Sequence, residues 1–354
     1  QPYRFVANPA NAALPPSVLA ANAEAHLPDK PARRVYYHPA GRAAEVLFYG
    51  APDYYYTVYV NPHDGEVLRV KNMATDFFNI IFYLHYQLLL PPEIGRNIVS
   101  YSTLIFVVML VSGLVLWWPR TKNTNAVKQR FTIKWSARWP RKNYDLHNVL
   151  GFYVTWLAIF VALTGLVFGF EWFQKSVYWT ASGGKSMPEH YHPHSDTLNV
   201  HIGYKPTATD SLWRQIVAEN PGAPQNGVFF PDEAQAPITV FIKPEAGTYY
   251  AMDYHYFDQY TLHELHGETV YGKYREASLA DKIIRMNYDI HTGAILGFPG
   301  KVLAFFASLV AASLPVTGFF VWYQRGRGKR KREPAAIQRT TNVLNYSITE
   351  ERIL

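Results

Sequence analysis

The chain contains 13 histidines and no cysteine. The lack of thiol excludes disulfides, thiolate zinc sites, iron–sulfur clusters and cysteine nucleophiles, so any metal has to be held by imidazole, carboxylate, phenol or thioether. Three histidines stand at the borders of long apolar runs: His85 within residues 77–90, His147 after Tyr144-Asp145-Leu146, and His291 between Asp289-Ile290 and Thr292-Gly293. An ionisable side chain at membrane depth is costly and by default marks function. Imidazole is also the usual axial ligand of haem iron when no cysteine is at hand. Inward side chains from facing helices could therefore hold a redox cofactor.

Other histidines carry weaker signals. His190, His192 and His194 alternate in Glu189-His190-Tyr191-His192-Pro193-His194. Such a tract can bind a divalent metal, although its composition reads first as a solvated loop. His263 and His266 would share a face if their segment were helical, but the residues before them read as strand and turn. Tyrosines 54–56 and 249–250 read as sheet faces, with the lining of a pocket for a ferric complex as the lesser alternative. No G-x-G-x-x-G follows a strand, and no Walker loop, nucleophile elbow or H-E-x-x-H is present. The chain is therefore not expected to bind NAD(P)H or ATP. Its electron donor would be another protein, a reduced flavin or a quinol.

The elements that must position these residues are membrane spans. Residues 98–118, 148–170 and 302–323 are nearly charge-free, and each is close to the ~20 residues a helix needs to cross a bilayer. Trp117, Trp118, Trp172, Trp322 and Tyr323 border them, as interfacial rings do. Basic residues set the orientation. Arg120, Lys122, Lys128, Arg130, Lys134, Arg138, Arg141 and Lys142 fill the first loop, and Arg325, Arg327, Lys329, Arg330, Lys331 and Arg332 follow the third span. Both segments read as cytoplasmic, which places 1–96 and 171–297 outside. An outside N-terminal segment that opens on Gln1-Pro2 is expected to follow a further leading span. With 16% aromatic against 17% charged residues, a disordered or nucleic-acid-binding tail is excluded, and the basic runs beside the spans read as topogenic.

Outside the membrane, strands are expected near 34–37, 45–49, 54–60, 66–68, 238–242 and 248–254, with a helix over 211–219. The turn Asn61-Pro62-His63-Asp64-Gly65 closes one hairpin. A loose internal repeat runs through the chain. Each span carries a hydroxyl–glycine pair: Ser112-Gly113, Thr164-Gly165 and Thr317-Gly318. Small residues let helices or a flat cofactor approach closely, and helix packing alone accounts for them. His85 precedes Gly113 by about 28 residues and His291 precedes Gly318 by about 27. Each follows a Tyr-rich, strand-like stretch, so the outer regions read as duplicates. His85 and His291 then share the outer side and could clamp one haem from both faces. His147 lies on the opposite side without an evident partner, which a leading helix could supply.

Four pieces in order resemble the PepSY-associated transmembrane family: Leu84-His85; residues 112–118 followed by Pro119; Asp145-Leu146-His147-Asn148-Val149-Leu150-Gly151; and Asp289-Ile290-His291-Thr292-Gly293. The turn at 61–68 resembles the end of a PepSY module. The resemblance covers about residues 30–325 and includes inner-membrane ferric-siderophore reductases of the FoxB type. It implies a membrane α-helical bundle, with three spans here and a fourth N-terminal span missing, carrying α+β periplasmic PepSY-like domains. It further implies haem b, two per protein, with His85, His147 and His291 as iron ligands and the inner haem left with only His147 in this sequence.

The expected division is a PepSY-like segment (1–75), an amphipathic outer helix plus span (76–118), a basic cytoplasmic loop (119–146), a span (147–170), a second PepSY-like α+β domain (171–297), a span (298–324) and a basic cytoplasmic tail (325–354). The function expected is that of a multi-pass bacterial inner-membrane cytochrome that reduces a ferric siderophore in the periplasm. A quinone-linked cytochrome serving another periplasmic acceptor, or a non-enzymatic PepSY protein that binds or inhibits a peptidase, are the alternatives.

Overall fold

A computed structural model describes residues 1–7, 12–51, 53–118, 124–189 and 192–350. Along the chain run α1 (Pro16–Glu24), β1 (Arg34–Tyr37), β2 (Ala44–Gly50), β3 (Tyr54–Val60), β4 (Val67–Asn72), α2 (Phe77–Gln87), α3 (Pro92–Trp117), α4 (Thr124–Lys128), α5 (Trp139–Gly169) and α6 (Glu171–Ala181). They are followed by α7 (Pro206–Glu219), β5 (Gln225–Phe229), β6 (Ile238–Lys243), β7 (Asp253–Phe257), α8 (Leu279–Thr292) and α9 (Gly297–Glu350). Contacts divide the chain into two units, residues 1–104 with 163–300 and residues 105–162 with 301–354.

The first unit contains one antiparallel sheet in the order β4-β3-β2-β1-β5-β6-β7. Segments 1–75 and 171–297 meet in its middle, where β1 pairs with β5 through Arg34↔Phe229 and Tyr37↔Asn226. Alternation along the strands sends Val35, Val46, Phe48, Val58, Val228, Val240 and Ile242 to one face. There they pack on Leu19 and Ala23 of α1 and on Leu212, Trp213 and Ile216 of α7. Asp210 ties these helices together by accepting from Ser17 N at 2.9 Å and Ser17 Oγ at 2.6 Å. α7 begins at Pro206, earlier than its apolar pattern suggests, because proline suits a helix's first turn.

β5 was not expected, since Gly227 breaks its run of strand-forming residues. The strand expected over 248–254 lies instead at Asp253–Phe257. The amides of Tyr249 and Tyr250 are taken by the carboxylate of Asp289, leaving them unavailable to a ladder.

Three helices are long and apolar enough to cross a membrane: Pro92–Trp117, Trp139–Gly169 and Ala294–Gln324. They are the three expected spans, each extended at its start. Hydropathy locates the apolar middle, while backbone hydrogen bonding continues through polar end turns. The result is a membrane helical protein with α+β parts. Between sheet halves β1–β4 and β5–β7 lie two of these helices, and two crossings return a chain to the side it left. Of the basic loop residues, Arg120 and Lys122 lie outside the described residues.

The second unit gathers one end of α3, most of α5 and the body of α9. Trp117 stacks on Phe152 with centroids 3.9 Å apart, and Phe131 meets both rings edge-on.

Candidate functional site

The helix α8 delivers His291 with little freedom. Ser278 and Asp281 form a capping box at its start, and Gly293 closes it in the left-handed conformation. Arg285, buried, donates to the carbonyls of Tyr250 at 2.9 Å and Gly272 at 3.0 Å, and also to that of Met252. Asp289, fully buried, accepts the amides of Tyr249 and Tyr250 at 2.9 and 2.8 Å. On its other side α8 grips α5 at one residue. Asn287 Nδ2 donates to the Thr164 carbonyl at 3.1 Å, and His291 Nδ1 lies 3.0 Å from the Thr164 hydroxyl.

Across from His291 stands His85, near the end of α2. Asp76 caps that helix by accepting from Asn79 N, and Leu88 ends it at φ 56°. The corner into α3 is tight. A Cβ on Gly95 would lie 2.0 Å from the Gln87 carbonyl oxygen, so glycine is what allows the approach. The His85 and His291 rings lie 6.1 Å apart with planes at 45°. Two imidazoles sharing one metal between them would have centroids about 6.2 Å apart at most, from a bond of about 2 Å and a ring radius of about 1.1 Å. The pair is therefore spaced so that His85 and His291 would both reach one metal. Phe168 lies edge-on to His291 at 5.6 Å.

His147, on α5, is held the same way within the second unit. Asn143 Nδ2 donates to the Thr317 carbonyl at 3.0 Å, and His147 Nδ1 lies 2.9 Å from the Thr317 hydroxyl. That hydroxyl turns its own hydrogen toward the Ser313 and Leu314 carbonyls, both at 3.1 Å. With its hydrogen on either carbonyl, it would accept Nδ1–H from His147 and leave the lone pair on Nε2, the nitrogen a metal would take. Asp145, buried, accepts from Lys134 N at 3.2 Å and pairs with Arg141 at 2.8 Å.

The two sites are one device used twice. Asn143-Tyr144-Asp145-Leu146-His147 and Asn287-Tyr288-Asp289-Ile290-His291 are nearly the same pentapeptide. In each, the asparagine takes a threonine carbonyl, the aspartate takes backbone N–H from the segment before its helix, and the histidine meets the same threonine's hydroxyl. The glycine after each threonine lies under the imidazole. A Cβ there would stand 3.6 Å from His291 Cε1 at Gly165 and 3.0 Å from His147 Cε1 at Gly318. Two of the three hydroxyl–glycine pairs thus seat histidines rather than only packing helices. The third differs: Ser112 bonds back to the Val108 carbonyl, and nothing lies within 4 Å of a Cβ on Gly113.

The family model for the PepSY-associated TM region matches residues 1–325. The chain belongs to that family. No curated protein matches it. The matched span includes both clamps of this PepSY-associated protein and the whole sheet.

The remaining sequence candidates are dispersed in this family member. His192 and His194 have ring centroids 5.8 Å apart, and His190 lies outside the described residues. His263 and His266 flank Glu264 in non-helical backbone, with Glu264 bridging to Phe257, so helical spacing does not bring them together. Among the described residues, no three His, Asp or Glu side chains gather as a metal site. Asn143 and Asn287 went unrecognised in the sequence, and Thr164 and Thr317 were read there as helix packing alone. The repeated pentapeptide was the signal that could have found the asparagines.

Proposed function

We propose that this PepSY-associated protein is a di-haem b-type cytochrome that reduces a ferric siderophore, in the manner of a FoxB-type reductase. The observation that carries the reading is the His85–His291 pair, two imidazoles 6.1 Å apart at the membrane border. His85 and His291 would hold one haem b and His147 another. Bound there, haem supplies a one-electron carrier whose potential is set by ligands and burial. Thr164 and Thr317 hold the Nδ1 side of their imidazoles and so direct coordination to Nε2. Asn143 and Asn287 fix the threonine-bearing backbone against the histidine helix. Gly165 and Gly318 keep the space under each ring clear.

His147 lies in the early turns of α5, just after the basic loop, and His291 precedes α9. With the basic loop and tail in the cytoplasm, the sheet and the His85–His291 pair lie in the periplasm of a bacterial inner membrane. Electrons would enter from a quinol, a reduced flavin or a partner reductase on the His147 side. The chelated Fe(III) accepts one electron on the sheet side and is released as Fe(II), which hard oxygen ligands hold less tightly.

The test is spectroscopic. Purified protein in detergent is expected to show a haem Soret band, and the dithionite-reduced form is expected to reoxidise on addition of a ferric siderophore. Protein without haem would favour a binding or peptidase-inhibiting role. Haem that stays reduced would point to another periplasmic acceptor.

A further inference from the structure

The sheet face turned away from α1 and α7 carries cations laid on rings. Arg4 lies over Tyr59 at 5.4 Å, Arg34 over Tyr36 at 5.7 Å and Phe229 at 5.3 Å, and Lys243 over Tyr249 at 3.9 Å. The Nε atoms of Arg4 and Arg34 are buried without a hydrogen-bond partner. Buried charge is costly unless something pairs with it.

Glu45 stands beside Arg4 and Arg34, opposite Tyr36 in the register and 3.3 Å from His38. Burial would raise its pKa, yet the hydrogen bond and charge of His38, with Arg4 and Arg34, hold it below the usual range. Arg4 and Arg34 both act on Glu45 and together outweigh its charge, while Tyr36, Tyr55 and Phe229 remain partly open.

This face adjoins both helices that carry the histidine pair. Tyr249 meets Tyr288 of α8 edge-on at 5.1 Å, three residues before His291. On the other flank, β3 meets the turn Met73–Thr75, which leads into α2, the helix that carries Tyr83. Tyr83 stands two residues before His85.

A guanidinium wedged between two rings, on a positive face, recognises a flat aromatic anion: charge meets charge while rings stack on rings. We propose that this face, centred on Arg34, binds an anionic ferric tris-catecholate. The proposal rests on the reductase reading and names its substrate class, in place of neutral or cationic hydroxamate chelates. The chelate would lie beside the helices bearing His85 and His291, so a single electron from the reduced haem would convert its Fe(III) to Fe(II) with no bond made by the protein.

The experiment uses full-length protein in detergent and redox-inert gallium(III) chelates, with binding read from tyrosine and tryptophan fluorescence. Gallium tris-catecholate is expected to bind more tightly than gallium tris-hydroxamate, and more weakly as salt screens the charges. Arg34→Gln is expected to weaken catecholate binding about tenfold, the scale of one charge-assisted contact. Arg34→Lys should lose less, and Glu45→Gln should tighten binding by removing the acid beside Arg34.

Equal affinity for both chelates, or catecholate affinity indifferent to Arg34 and Glu45, overturns the proposal. If ferric tris-hydroxamate then still reoxidises the reduced protein, the reductase reading stands without it. Failure of every ferric chelate to reoxidise the haem overturns both.

Discussion

The clamps around His291 and His147 share four residues of a pentapeptide and a threonine–glycine seat, but they differ in what faces the imidazole and in how closely the seat fits. His291 is opposed by His85, delivered by a helix that has no counterpart in the second unit. His147 is the one histidine within residues 105–162 and 301–354. At His291 the glycine seat leaves ordinary contact distance for a methyl group, whereas at His147 it does not. The threonine–glycine seat is thus common to both histidines, whereas among the described residues an opposing imidazole stands at His291 alone.

The strongest way to break the comparison is to remove the imidazoles. His291→Ala and His147→Ala are each expected to lose about half of the bound haem, and the double variant all of it, measured as haem per protein. His85→Ala should lose the same half as His291→Ala. If His85→Ala and His291→Ala proved additive, the two rings would serve different groups.

Next in size are the asparagines. Asn143→Ala and Asn287→Ala each strip a buried donor from a threonine carbonyl. Each should cost about 1–3 kcal/mol, seen as a lower melting temperature. Similar losses at the two sites would support one device, while a loss at only one would break the equivalence.

A smaller effect is expected at the hydroxyls. Thr164→Val and Thr317→Val keep the shape and remove the partner of Nδ1. Haem retention should fall roughly tenfold, followed by transfer to an apo-globin acceptor. The reduction potential of the affected haem should rise, because its imidazole becomes a poorer electron donor.

The smallest change sharpens the comparison by splitting it. Gly165→Ala should be silent or slightly stabilising, by about 0.5–1 kcal/mol of helix propensity. Gly318→Ala places a carbon 3.0 Å from His147 Cε1 and should perturb that haem's absorption spectrum alone. Equal responses would show that the difference in seating has no consequence.

Local features were legible in the sequence where residue type and period agree. β1, β3 and β6 are short runs of β-branched and aromatic residues, and all were expected within a residue of their observed bounds. The three spans were visible for the same reason, as was α2. The parts that escaped depend on distant partners. Thr164 is 127 residues from His291, and Thr317 is 170 residues from His147. Nothing local marks a hydroxyl–glycine pair as a seat rather than a packing surface. The residues 248–252 carry strand-like tyrosines, but a buried carboxylate 40 residues away takes the Tyr249 amide. The chemistry of Asn287 and Asn143 is likewise invisible until their helices are docked.

The pairing of β1 with β5 joins Arg34 to Phe229 across two membrane helices. While the chain is being synthesised, the β1–β4 half is complete long before its neighbour emerges, and it waits with the edge of β1 bare. Only when both intervening helices cross does β5 return to that edge. A chain in which one of the two fails to insert keeps two raw edges in different compartments, exposed to proteolysis and aggregation. The sheet thereby proofreads its own biogenesis, and maturation is expected to be slow, paced by a contact of high sequence separation.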